Sequence, residues 1–426
     1  MRRLAAALLA AVLLLLGVGD AFAHAGLRAS TPAAGDTLRA SPQRLVLRFT
    51  EPVEASSSAI DLLVSDGRTI SLSPLRDPGD VTAVVAEVPG LAPGGYRVVW
   101  RTLSADGHTV DGSYVFYLAG DSTSLSPPPA EPAAGHGGEP ALPVPAALLR
   151  GLGIGALALL AGLLLMMSLR AADDPRTRRL ALAAAVAAPL LLAAQLVAWA
   201  MYARAGHSEA TIGHVLTTTA PGHVEIVRIG LAVLALWALG LARRPELALV
   251  FAMAAVGGSA FLGHAAAIHP LWSGPAKALH VAGLAVWLGG LAALAVTARE
   301  GEAYRETALR ASSLALAAVL LLFATGVVQT LALAPSLPRL ATSAYGAVLG
   351  AKLAGFAALV AMGARNRYRL VPRLPSSEAC AALRRSVRWE LGVMLMIVLA
   401  AGVLSYVPVP RPTAETAAHT VHPTTD

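Results

Sequence analysis

Cysteine is almost absent from this chain: its 426 residues hold one, Cys380. A single thiol excludes an intramolecular disulfide framework and any metal centre built from several thiolates. Metal chemistry here must therefore use histidine, methionine or carboxylate. Charge is sparse as well, at 14% of residues against 56% hydrophobic, and mean hydropathy is +0.62. That balance excludes a wholly soluble globular chain and describes a polytopic membrane protein with a soluble portion. The net charge of +7 calls for no nucleic acid, because most arginines fall in short loops between apolar spans, where they set topology. Methionine is missing between Met1 and Met166, so the early part of the chain offers no thioether ligand.

Met1 to Ala23 carries Arg2-Arg3, an Ala/Leu-rich run and the small-residue site Ala21-Phe22-Ala23, which reads as a signal peptide occupying 1–23. Cleavage there leaves His24 as the first residue. From 24 to 119 the texture becomes short β-branched runs: 45–49, 59–64, 81–88, 96–100 and 112–118. Turn residues at Asp66-Gly67, Pro78-Gly79 and Pro93-Gly-Gly95 separate them. Short strands at this spacing predict an all-β antiparallel sandwich of immunoglobulin-like size, with Trp100 and Phe116 in its core. Residues 120–145 are rich in proline and glycine and cannot bury a core, so they read as a tether between domains, with His136 as a solvated histidine within it.

The run Trp100 to Phe116 places Asp106 and His108 two residues apart around Gly107. In an extended backbone such residues project from one face, which is half of a metal site. An N-terminal His24 would add its α-amine and an imidazole nitrogen. Three nitrogens and one oxygen in tetragonal array favour Cu(II).

His24-Ala-Gly-Leu-Arg-Ala-Ser-Thr-Pro-Ala-Ala-Gly35 followed by Ser104-Ala-Asp-Gly-His-Thr-Val-Asp-Gly112 resembles the periplasmic copper-binding CopC family. His280-x6-Trp-Leu-Gly-Gly, Gly326-Val-Val-Gln-Thr330 and Tyr345-Gly-Ala-Val-Leu-Gly-Ala-Lys352 resemble the membrane domain of CopD. The resemblance covers nearly the whole mature chain as a CopC–CopD fusion. It implies that His24, Asp106 and His108 hold Cu(II). Without methionine in the soluble part, a Met-rich Cu(I) site there is not expected.

Beyond Pro145, eight apolar spans are each long enough for a hydrocarbon core of about 30 Å: 146–169, 180–203, 222–242, 246–266, 275–297, 309–333, 343–364 and 387–407. They predict an all-α eight-helix transmembrane bundle over 146–408, followed by a tail at 409–426. Arginine concentrates in alternate loops, so the positive-inside rule puts those loops in the cytoplasm and both the β-domain and the C-terminal tail outside the inner membrane. His207, His214, His223, His264, His269, His280, His419 and His422 then all fall on the outer side. Imidazole suits copper, so the pattern reads as an outward copper-collecting surface. His264 and His280 end or enter apolar spans, where an ionisable group marks a functional site. Gly289-Gly290 would let helices approach closely.

Other polar residues in the spans have simpler readings. Glu225 and Arg228 are three apart and pair as neighbours on a helix, while Lys352 and Glu390 line a polar path or balance other charges. Met253, Met362, Met394 and Met396 would form an inner methionine ladder, unless they are core filler. Together these features predict a copper-binding and copper-transporting membrane protein rather than an enzyme. Its ligands are copper ions, Cu(II) in the soluble domain and Cu(I) as the candidate in the membrane domain; its setting is the lipid bilayer. The alternatives are copper sequestration by a module on a non-transporting anchor, and a haem-containing cupric reductase using His264 and His280, which an optical spectrum would reveal.

Overall fold

The computed structural model describes residues 26–104, 109–120, 143–172, 174–204, 212–262, 270–297, 301–333, 340–374 and 376–407. Alternating apolar residues build the first domain. In Arg-Leu-Val-Leu-Arg-Phe, strand β3, Leu45, Leu47 and Phe49 point inward and are at most 2% exposed, as the period of two requires. The other strands are β1 (Leu27–Thr31), β2 (Thr37–Leu38), β4 (Val53–Val64), β5 (Thr69–Leu72), β6 (Pro74–Arg76), β7 (Ala83–Glu87), β8 (Gly94–Ser104) and β9 (Thr109–Leu118); β3 spans Arg44–Phe49. They form a four-stranded sheet, β1-β3-β7-β6, and a five-stranded sheet, β2-β9-β8-β4-β5. All pairs are antiparallel except β2 with β9.

The inner faces of the two sheets share one apolar core. Trp100 meets Phe49 edge to face, with centroids 5.0 Å apart, and Tyr96 stacks on Phe116 at 5.4 Å. Gly112 lies opposite Trp100 in the β8–β9 register. A Cβ there would stand 2.5 Å from Trp100 Cζ2, so only glycine lets the indole lie across β9. The sandwich and its two core aromatics are as the sequence predicts. β1, β2, β5 and β6 are additions: short edge strands with too few alternating positions to register as a pattern.

The second domain is helical: α1 (Val144–Ser168), α2 (Pro175–Arg204), the short α3 (Ile212–Thr218), α4 (Ala220–Gly240), α5 (Pro245–Gly257), α6 (Pro270–Val296), α7 (Glu302–Leu333), α8 (Ala344–Arg365) and α9 (Ser377–Leu404). Among the described residues seven helices, all but α3 and α5, are long and apolar enough to cross a membrane. The fourth expected span is shorter than that. At Gly257-Gly258, α5 gives way to a single 3₁₀ turn, Gly258–Phe261. Its 13 α-helical and 4 3₁₀ residues rise roughly 28 Å, close to one hydrocarbon core. At the other extreme, α9 begins ten residues before the apolar run at 387, because Ser376 caps it by accepting the Ala379 N–H.

Glycine sets the closest helix approach. Gly162 of α1 lies directly against Gly289 of α6, backbone on backbone, with no room for a Cβ on either. This is the close packing expected of Gly289. The ends of the helices then sort into two groups. At one, Arg310 of α7 donates from Nη1 to the carbonyls of Leu169 and Arg170 at 3.2 and 2.9 Å, and Thr297 donates to Asp174 at 3.3 Å. At the other, α1, α2, α3, α8 and α9 contribute Ala147, Trp199, Val215, Tyr345 and Leu404 to one buried apolar cluster.

Candidate metal site

The last rung of the β8–β9 hairpin pairs Leu103 with Thr109. The connection between these strands carries Asp106 and His108, and both residues, like His24, lie outside the described residues. What frames them is described. Thr50 donates its N–H to the Gly26 carbonyl at 3.0 Å, and Gly26 donates to Thr50 Oγ1 at 3.1 Å. Val53 pairs with Ser104, whose hydroxyl donates to the Pro52 carbonyl at 3.4 Å. The chain entering at Gly26 and the chain leaving at Ser104 therefore flank one turn, Thr50 to Val53, at one end of the sandwich. That common end is the condition for a site shared by the two segments. In the same turn Glu51 is a carboxylate only 3% exposed. Sequence reasoning passed over it, although an acidic residue in a turn between two apolar strands was the available signal.

This end of the sandwich faces the bundle. Leu103 is 1% exposed, yet it belongs not to the sandwich core but to the apolar cluster of Ala146, Ala147, Trp199 and Leu404 at the helix ends. Glu54 of β4 reaches across as well, its Oε1 accepting the Ala220 N–H at 3.2 Å. Ala220 opens α4, whose first-turn donors have no partner within the helix and favour a negative charge. The sequence reading made residues 120–145 a tether between the domains, and 121–142 lie outside the described residues. The two domains are in contact through the residue that immediately precedes Ser104 and the connection carrying Asp106 and His108.

Inside the bundle, His280 of α6 is half-buried, and its Nδ1 lies 2.9 Å from Thr325 Oγ1 of α7. The Thr325 hydroxyl is committed to the Leu321 carbonyl at 2.6 Å. Its oxygen therefore accepts from the imidazole, so Nδ1 carries the proton and Nε2 keeps its lone pair. A ring nitrogen fixed by a partner behind it is the usual arrangement of a metal-binding histidine. His264 lies outside the described residues. Lys277, one turn before His280, donates to the carbonyl of Leu262 at 2.5 Å.

A buried polar group sits between α2, α4 and α5. Arg228 Nη1 contacts both oxygens of Glu225 at 2.9 Å, Gln195 donates to Glu225 at 3.0 Å, and Arg228 Nε donates to the Ala255 carbonyl at 3.0 Å. The expected pairing of Glu225 with Arg228 is thus present, with Gln195 as a partner that spacing alone does not reveal. Of the four methionines of the expected ladder, Met253 is 38% exposed, Met362 and Met396 are half-buried and Met394 is 2% exposed. Among the described residues no three His, Cys, Asp or Glu side chains converge as a ligand set.

Residues 27–119 match the CopC domain family, 141–274 the N-terminal domain of copper resistance protein D-like proteins, and 306–404 the copper resistance protein D family. The copper transport protein CutJ of Bacillus subtilis is 25% identical over 423 residues, 91% of this chain and 75% of that protein. Copper resistance protein C of Escherichia coli is 32% identical over 114 residues, 24% of this chain and 88% of that protein. The crystal structure of CopC from Methylosinus trichosporium OB3b matches at 33% identity over 24% of this chain and 100% of that chain, with a TM-score of 0.23.

Proposed function

Because the chain belongs to the copper-resistance CopC/CopD family, as a CopC domain and a CopD membrane domain in one polypeptide, we propose that it carries copper inward across the cytoplasmic membrane. Cu(II) is captured outside by the α-amine and imidazole of His24 with Asp106 and His108. It passes to His264 and His280 at the outer mouth of the bundle, and Cu(I) is the form taken further. The chain acts as a binding and transport protein and not as an enzyme. The β-domain and C-terminal tail lie outside. Arginines at the helix ends that meet around Arg310, Leu169 and Asp174 support this, since positive loops stay in the cytoplasm.

The observation that carries the reading is the burial of Leu103 among the helix ends. It supports direct transfer, because the connection bearing Asp106 and His108 leaves the sandwich one residue beyond that contact. The free Nε2 of His280 supports a receiving ligand. A mere anchor would not need His280, Glu390 and the Glu225–Arg228 pair in its spans, because each polar group costs free energy in a bilayer.

Copper uptake into liposomes containing the purified protein tests the proposal, run with and without a reductant to separate Cu(I) from Cu(II) as the form carried. His280→Ala should abolish uptake and leave Cu(II) capture intact. One extra residue ahead of His24 should instead weaken capture by more than about tenfold, by removing the α-amine as a ligand. Uptake by the His280→Ala protein equal to that of the parent would refute the membrane site. Equal affinity with and without the extension would refute the amine ligand.

A further inference from the structure

At the end of the bundle opposite the β-domain lies a cavity of about 180 Å³ that the copper path does not use. Its walls are apolar: Trp287 and Leu291 of α6, Ala311 of α7 and Val387 of α9. One polar corner interrupts them. There α8 ends in a π-helical turn, Asn366–Leu370, a local widening that recurs at functional sites. Its first residue, Asn366, donates from Nδ2 to Glu390 Oε1 of α9, which also accepts from the Ser386 hydroxyl at 3.4 Å. Glu390 is 1% exposed and Asn366 7% exposed.

Two things about this corner are unbalanced. The partners of the Glu390 carboxyl are both neutral. Arg367, the nearest cation in the cavity wall, is held by α7, donating from Nη1 to the carbonyl and hydroxyl of Ser312 at 3.0 Å. α6 brings no titratable group to the wall and α7 brings only the Ser312 hydroxyl. On α9 the next ionisable groups, Arg388 and Arg385, are exposed and outside the cavity lining, Arg384 and Cys380 lie toward Tyr304, and the π turn adds the exposed Tyr368. A carboxylate buried without a countercharge costs several kcal/mol, on the order of the desolvation of one ion. The second imbalance is that Asn366 Oδ1 is buried and has no hydrogen-bond partner among the described residues.

A cation at the carboxyl answers the first imbalance; a proton answers it too, and gives Asn366 Oδ1 a donor. A protonated Glu390 has an O–H to donate, and the Asn366 amide, turned over, offers Oδ1 to receive it. We propose that this corner is a proton-binding site on the cytoplasmic side, with Glu390 as the group that takes the proton and the cavity as its access. The two states differ by one proton and by the turn of one amide: Asn366 donates to the carboxylate through Nδ2, or the carboxylic acid donates to Oδ1 and Nδ2 takes the place that Oδ1 held. Asn366 begins the π turn and the next residue, Arg367, grips α7, so the state of the proton is felt at the helix that also carries Thr325 behind His280. The site's sidedness rests on the proposed orientation; its protonation does not depend on copper transport.

Infrared difference spectroscopy on the purified full-length protein, titrated over about pH 5 to 9, tests this without any copper present. The parent should show a protonated-carboxyl stretching band that fades as pH rises. Glu390→Gln, which keeps the Asn366 hydrogen bond and the packing, should lack that band. Asn366→Ala should keep it but shift its frequency, because the hydrogen-bond partner is gone. Retention of the full band in Glu390→Gln, or a parent spectrum without any such band, would overturn the proposal. So would binding of one equivalent less Cu(I) by Glu390→Gln, since the occupant would then be the metal. Uptake of copper that fails altogether in the parent would refute the transport reading and leave this titration unaffected.

Discussion

Thr325 shows how a residue outside the proposed copper site can govern one of its proposed ligands. Its hydroxyl is spent on Leu321, so its oxygen accepts the Nδ1 proton of His280 and leaves the lone pair on Nε2. Thr325→Val keeps the shape and loses the acceptor. We expect copper affinity at the membrane site to fall about 10–100-fold while Thr325→Ser stays near the parent, as read by competition with a Cu(I) chelator. The β-domain has its own residue-scale signature. Burial pushes the Tyr114 hydroxyl up to about 12, and burial likewise raises Tyr96. The folded chain thus keeps protons that the unfolded chain loses above about pH 10, so stability falls between the two values. Up to about 3 kcal/mol should be lost at Tyr114 over that interval. Tyr114→Phe should flatten the decline in an alkaline denaturation series; an unchanged slope would place the effect elsewhere. Of these residues the sequence disclosed His280 as a histidine in an apolar span. It could not disclose Thr325, which is one of many threonines until α6 and α7 are laid side by side.

At the scale of elements, the apolar periodicity of β3, β4, β7, β8 and β9 and of the long helices was legible because each buries one continuous face. Hydropathy failed where burial and helicity part company. α9 begins ten residues ahead of its apolar run, since backbone hydrogen bonding extends through the arginine-bearing turns. α5 stops short of its expected end, since paired glycines loosen it. The docking of the β-domain was illegible for a different reason: Leu103 looks like any inward strand residue, and only the assembled chain shows that it points at the bundle. Leu103→Asp should therefore separate two properties. Placed at a contact that is 1% exposed, a carboxylate costs several kcal/mol, on the order of one uncompensated buried polar group. The β-domain should undock while its own unfolding free energy and its Cu(II) binding free energy stay within about 0.5 kcal/mol of the parent. Cross-linking between the domains, lost together with copper uptake, is the outcome expected. Uptake that survives undocking would mean that the contact is not the route.

The whole molecule is a bundle with unlike ends, and its one native thiol makes that polarity easy to read. Cys380 is 0% exposed, so it gives a silent background for labelling with membrane-impermeant reagents. In intact cells a cysteine replacing Thr217, on the β-domain side, should be modified. One replacing Glu302, beside the arginine-rich ends, should react only after the membrane is opened. The reverse pattern would invert the proposed direction of copper flow. The contact at Leu103 also changes what the segment 121–142 accomplishes. Ala119-Gly120 and Pro143 are each attached to a domain, and the domains already touch, so the segment closes a ring rather than reaching across a gap. A covalent ring of this size holds its partners at an effective concentration of order millimolar. For a chain whose two domains are joined covalently, a contact made through Leu103 and Glu54 can stay weak enough to open and close.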